Sequence, residues 1–299
     1  MTSLHRSWLY VPGNRPDRFA SSAASGADAV VIDLEDAVPP GAKDEAREAA
    51  AAHVACGDAV PLYVRINHPA TSLARADVTA ITSGGARPAG IRLPKVEDPE
   101  QVRAVAGWLQ SSASDVGLFC LIESALGVER AFEIARAHKQ VAGLMLGEAD
   151  LAADLGTADD DGLQYARSRC VVAARAAGLP PPVQAAFTNV DDLDGLRVSC
   201  ERGRRLGFLG RSAIHPRQVP VINAAYTPAA DEVARARELL DAADRHAGEA
   251  FVLPDGRFVD PAVTERARRV VELADAYRTS AHQAESTPRT HPSPEEPPQ

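Results

Sequence analysis

The chain has 299 residues, 45% hydrophobic and 24% charged, enough to bury one large α/β core. Its net charge of −9 and pI near 5.4 exclude a nucleic-acid surface, which needs a concentrated basic face. Four cysteines (Cys56, Cys120, Cys170, Cys200) without a CxxC pair exclude a zinc cluster or a disulfide framework and fit a reducing, cytoplasmic compartment; no apolar stretch reaches the roughly 18 residues of a membrane span, and no signal-peptide core precedes the first strand.

Short apolar runs alternate with Ala/Arg/Glu-rich helical stretches, the pattern of repeated βα units. Eight runs read as strands: SWLYV (7–11), DAVVIDL (28–34), LYVRIN (62–67), GIRLPK (90–95), GLFCLIE (117–123), GLMLG (143–147), PVQAAF (182–187) and GRSAIH (210–215). The intervening helices include PEQVRAVAGWLQ (99–110), GVERAFEIARAH (127–138) and LQYARSRCVVAARAAG (163–178). Eight such units predict a (β/α)₈ TIM barrel, a fold of about 250 residues, over a doubly wound open sheet. Beyond it, residues 227–248 predict a helix with Thr227 as N-cap and Pro228 at its first position. AFVLPDGRFVD (250–260) predicts a hairpin turning at Pro254-Asp255-Gly256, and a last helix follows over 261–279. The chain thus divides into a catalytic barrel (1–222), a helix–hairpin–helix extension acting as a subunit-interface lid (223–280) and a Pro/Ser/Glu-rich disordered tail (281–299).

Parallel α/β folds place ligands at the carboxyl ends of their strands. Glu123 closes one apolar run, Asp150 follows another, and Arg65 closes a third. Two carboxylates and an arginine delivered there suggest a divalent metal and an anionic substrate. Glu148 is placed on the opposite face or in support of the site. Lys95, ending the fourth strand, would be a Schiff-base lysine in another aldolase class, a role that a metal site makes redundant.

RSWLYVPGNRPDRF, DAVVIDLEDAV followed by Lys43 and Ala46-Arg47, VRIN, LPKVE, IESALGV, GEADLAADLG, LGFLGRSAIHPRQV and DGRFVD, in that order over residues 6–278, resemble the HpcH/HpaI aldolase and citrate lyase β-subunit superfamily, and within it the CitE-like CoA-ester lyases. The resemblance implies a TIM barrel, a Mg²⁺-dependent carbon–carbon lyase (Mn²⁺ substituting) and a homotrimer. It implies Glu123 and Asp150 as metal ligands, Arg65 at the thioester carbonyl, and Glu35 and Asp36 in support of the arginine and metal waters. Tyr10, Arg18, Ile214 and His215 match substrate- and CoA-contacting positions, the last two through backbone. Asp260 matches an aspartate that moves a proton at the α-carbon in a neighbouring subunit's site. Here Phe258 replaces the usual methionine and Pro261 follows Asp260 directly, so the alternative is an N-cap for the 261–279 helix.

The implied reaction is retro-Claisen cleavage of a 3-hydroxyacyl-CoA into an acyl-CoA and a 2-keto acid, or its reverse. Malyl-, citramalyl- and citryl-CoA fit equally. The alternatives are a citrate lyase β subunit acting on acyl-carrier-protein thioesters in a complex, a class II aldolase acting on free 4-hydroxy-2-keto acids, a thioesterase side activity, and a non-catalytic metal-binding scaffold.

Overall fold

The computed structural model describes residues 4–85, 87–109, 115–246 and 249–286. The expected tail from 287 onward, Gln110, and the 247–248 end of the helix begun near 227 lie outside the described residues. The chain divides after Tyr226 into two compact units.

In the first unit, seven parallel strands, β1 (Ser7–Pro12), β2 (Ala29–Asp33), β3 (Leu62–Arg65), β4 (Gly90–Leu93), β5 (Gly117–Ile122), β6 (Val141–Leu146) and β7 (Arg211–Ala213), form one curled sheet in the order β6-β5-β4-β3-β2-β1-β7. Side chains alternate along each strand. Leu9, Val11, Val30, Ile32, Val64, Ile91 and Leu118 pack into the larger core with the helices, while Trp8, Val31, Tyr63, Phe119, Leu121 and Met145 form a second core inside the curl. Ring centroids of Trp8, Tyr63 and Phe119 lie 4.6–5.6 Å apart. Glycine at 90 is required there, because a Cβ would meet the Phe119 ring at 2.7 Å.

The strand expected over 182–187 does not form. Its residues contribute only isolated parallel bridges, Val183 with Met145 and Gln184 with Arg211. Pro180, Pro181 and Pro182 lead into it without a backbone donor, and a strand cannot propagate through such a segment. Instead, side chains tie it down: the Tyr226 hydroxyl donates to Gln184 Oε1, and buried Arg211 donates to Ala185 O and Ser199 Oγ. The helix expected over 127–138 is broken at Arg130 into Ala125–Glu129 and Ala131–Ala135.

The second unit holds helices Ala230–Arg245 and Pro261–Ser286 and an antiparallel hairpin of β8 (Phe251–Val252) and β9 (Phe258–Val259). Gly256, at φ +86°, makes the turn, and its N–H donates to Leu253 O at 2.9 Å. Thr227 is not the N-cap: Ala229 stands in extended conformation at that position, so Asp231 and Glu232 fall in the first turn, where the helix dipole favours them. The last helix continues through 281–286, residues expected in the tail. No helix among the described residues is long and apolar enough to cross a membrane.

His5 is enclosed by Trp8 and Tyr63, with Nε2 3.0 Å from the Tyr63 hydroxyl. Burial lowers its pKa from 6.5 to about 4. The unfolded chain therefore binds the extra proton between those values, and stability falls on acidification through that window by up to about 1.4 kcal/mol per pH unit. Urea unfolding at pH 7.0 and 5.5 is expected to show wild type losing about 1 kcal/mol more than His5→Asn over that step; parallel losses in the two proteins would contradict it.

Candidate active site

β2 and β3 end side by side, with Asp33 and Arg65 as register partners at the carboxyl edge. Arg65 grips Asp33 with both arms of its fork, Nε to Oδ1 at 2.7 Å and Nη2 to Oδ2 at 2.6 Å. The same carboxylate accepts the N–H groups of Glu35 (2.9 Å) and Ala37 (3.1 Å), fixing the turn after β2. Lys43 clamps that turn from outside, donating to the carbonyls of Leu34 and Glu35, each at 2.7 Å. Asp33 is 1% exposed, and its ion pair holds the Arg65 guanidinium firmly charged against the burial that opposes it.

The next layer is acidic. Arg65 Nη1 lies 2.9 Å from Glu35 Oε2 and 3.9 Å from Asp36. Lys95 Nζ donates to Glu35 Oε1 at 2.7 Å and to both oxygens of Asp36 at 3.1 and 3.2 Å. Burial pushes the Glu35 pKa up. Burial also acts on Asp36, but its bonds to Lys95 and the nearby Arg65 hold its pKa down. The carboxylates keep the Lys95 ammonium protonated, which removes it as a Schiff-base nucleophile. Lys95 is also the one described non-glycine residue at positive φ (+50°), a conformation that turns its N–H onto Glu123 Oε1 at 2.7 Å.

Glu123 follows β5 and is 4% exposed. Burial, against the Lys95 N–H bond and with the charge of Asp150 adding to it, pushes its pKa up to about 8. Gly147 makes room for it: a Cβ there would come within 2.7 Å of Glu123 Cβ. Asp150 is exposed in the first turn of the helix Glu148–Leu155, one turn beyond the end of β6. Glu148 turns away, its Oε1 accepting from buried Arg167 at 2.7 Å.

These oxygens fit a hard divalent cation. The second oxygen of Glu123, beyond the one that accepts the Lys95 N–H, can take a cation in place of the proton that burial favours there. Asp33, Glu35, Asp36, Glu123 and Asp150 gather acidic groups around Arg65 and Lys95 at this mouth. Among the described residues no three or more His, Cys, Asp or Glu side chains form a ready-made cage.

The other expected contact residues are scattered more widely. Tyr10 lies on β1, partly buried, beneath Arg65, whose guanidinium is 5.1 Å from the ring centroid. Arg18 is exposed at the end of a 3₁₀ turn. The Ile214 N–H is engaged by Gln218 Oε1 at 2.9 Å, and His215 caps the turn Pro216–Gln218 by accepting the Arg217 N–H at Nδ1, 3.2 Å. Asp260 belongs to the second unit and caps the helix Pro261–Ser286, Oδ1 accepting the Val263 N–H at 2.9 Å. The sequence singled out neither Asp33 nor Arg92 as a site residue, and Lys95 only to set it aside. For Asp33 the available signal was strand parity, which places it on the inward face with Val31 and beside Arg65 at the strand end.

The chain matches the family profile described as HpcH/HpaI aldolase/citrate lyase over residues 6–216. It is 34% identical over 287 residues to the citrate lyase subunit beta of Leuconostoc mesenteroides subsp. cremoris, covering 91% of this chain and 94% of that one. It is 35% identical over 279 residues to the (3S)-malyl-CoA thioesterase of Cereibacter sphaeroides, covering 91% and 95%. The solved structure of CitE from Mycobacterium tuberculosis in complex with magnesium, acetoacetate and coenzyme A superposes with a TM-score of 0.78 at 32% identity, covering 92% of this chain and all of that one.

Asp33→Asn breaks the buried two-armed ion pair and leaves Arg65 only its single contacts to Glu35 and Asp36, which is expected to lower stability in urea by about 3–5 kcal/mol. Glu35→Gln, which leaves the Asp33 clamp intact, is expected to lower it by less than about 1.5 kcal/mol. Equal losses from the two substitutions would remove Asp33 from the centre of the site.

Proposed function

The chain belongs to the HpcH/HpaI aldolase/citrate lyase family, and from that premise we propose that it is a carbon–carbon lyase cleaving a 3-hydroxyacyl-CoA of the malyl, citramalyl or citryl type into an acyl-CoA and a 2-keto acid. The observation that carries this reading is the nearly buried Glu123 carboxyl at the end of β5, held by the Lys95 N–H, beside an arginine held in a fixed pose. We read the curled sheet with its Val183–Gln184 bridges as a (β/α)₈ barrel whose seventh strand is reduced to those bridges.

Glu123 and Asp150 would hold a Mg²⁺ ion, which when bound gathers the hydroxyl and carboxylate oxygens of the acid half and lowers the energy of the developing alkoxide. Asp33 holds Arg65 so that Nη1 meets the thioester oxygen as the C2–C3 bond breaks and its electron pair moves into the enolate. Lys95 holds Glu35 and Asp36 in place around that arginine. The 3-hydroxyl gives up its proton as the keto acid forms and the enolate carbon gains one to complete the acyl-CoA, so no net proton is consumed; the delivery to carbon is the role we give Asp260 of an adjacent chain in a homotrimer, recharged by the proton the hydroxyl releases. Only Oδ1 of Asp260 is used in its helix cap, so one carboxylate oxygen remains for that transfer. Arg18, with the backbone at Ile214 and His215, would contact the coenzyme A portion. The four free cysteines favour a reducing cytoplasm.

Similarity to a malyl-CoA thioesterase favours a second outcome, in which water then cleaves the thioester. Wild type assayed with malyl-, citramalyl- and citryl-CoA is expected to release keto acid from one of them in an EDTA-sensitive reaction. Glu123→Ala is expected to abolish release, and Asp260→Asn to lower kcat by roughly 10²-fold or more. Free thiol appearing in step with keto acid would mark the hydrolytic branch; no keto acid from any of the three would sink the proposal.

A further inference from the structure

Arg92 projects from β4 into the curl of the sheet, two residues along the strand from Gly90, and is 0% exposed. Its Nη1 donates to the Tyr10 hydroxyl at 2.7 Å and stands 3.5 Å from Ser212 Oγ, while Nε and Nη2 are buried without a hydrogen-bond partner. No ion pair joins it to a carboxylate among the described residues. Its charge rests instead on two ring faces, 4.5 Å from the centroid of Trp8 and 5.0 Å from that of Tyr10. Arg65 lies 5.1 Å from the same Tyr10 centroid, so Tyr10 connects a cation at the mouth with one below the floor.

A buried guanidinium without an anion is unfavourable for folding, and an apolar side chain of similar length would serve this core better. Retention of such a charge points to the site above it. Tyr10 is partly exposed and Arg92 is not, so any influence on a ligand passes through the phenol. A hydroxyl that accepts from Arg92 keeps its own proton for another partner.

We propose that Arg92 is a positioning residue for the lyase reaction: it fixes the Tyr10 hydroxyl as its acceptor, so that the hydroxyl's own proton is directed into the mouth as a hydrogen bond to the thioester oxygen that becomes negative when the carbon–carbon bond breaks. This rests on the reaction proposed above. No proton is transferred; the phenol donates a hydrogen bond that strengthens as charge develops, and the buried cation behind it makes it a better donor.

The test compares full-length wild type, Arg92→Met, Arg92→Lys, Tyr10→Phe and the Arg92→Met/Tyr10→Phe double variant for urea midpoint and for kcat and KM on the thioester that wild type cleaves. Arg92→Met is expected to unfold at the wild-type urea concentration or above it, while kcat falls roughly tenfold, less than the loss of a direct donor, and KM stays within about twofold. Arg92→Lys is expected to recover part of kcat, and the double variant to be no slower than Tyr10→Phe alone. A midpoint that falls together with kcat, an unchanged kcat in Arg92→Met, or losses that multiply in the double variant would each overturn the proposal. Should wild type cleave no thioester, the reaction itself is wrong, and the positioning role falls with it. The midpoints then judge separately whether the charge is unfavourable to the fold: a midpoint of Arg92→Met at or above wild type upholds that, and a lower one refutes it.

Discussion

The two-armed grip of Arg65 on Asp33 is the constraint from which the rest of the mouth follows. It joins the ends of two neighbouring strands, and because Asp33 also accepts two backbone N–H groups of the following turn, it sets where Glu35 and Asp36 stand. Those acids fix Lys95, and the backbone of Lys95 fixes Glu123. Position therefore passes from strand to strand through alternating charges, each holding the next, and the chain of contacts ends on the carboxyl with the most perturbed environment in the site.

This construction trades stability for chemistry. A lysine in left-handed conformation, a nearly buried glutamate beside another acid, and an arginine in the core without an anion are each unfavourable to the folded state. They share one face of the sheet and one end of it. The opposite, helix-facing side is built from Val, Ile, Leu and Ala and carries the stability that tolerates them. A divalent ion at the mouth would compensate its clustered carboxylates, which also explains how Glu123 could be ionised in the working enzyme.

Most of the fold was legible because the runs are periodic and punctuated: seven of the eight strands and the hairpin at Asp255-Gly256 fall where patterning places them. The run 182–187 misled because its apolar residues resemble a strand while the prolines before it withhold the donors that a ladder needs. Thr227-Pro228 carried a helix-start signal, yet the helix waits until acids can occupy its first turn. At the site, Glu123 and Arg65 were readable as strand-ending charges. Asp150 was expected at a strand end and stands on a helix instead. Arg92 was hidden inside GIRL, because a linear reading sees an apolar run interrupted once, and only the curl of the sheet reveals that the interruption points inward.

The central claim is that Glu123 and Asp150 together hold the cation on which the chemistry depends. Crystals soaked in Mn²⁺, with anomalous diffraction recorded near the manganese edge, test it directly. The account predicts one strong peak within coordinating distance of one oxygen from each carboxylate, about 2.0–2.3 Å, and lost when Glu123 is replaced by alanine. A peak held by other residues, or none at saturating Mn²⁺, would contradict it.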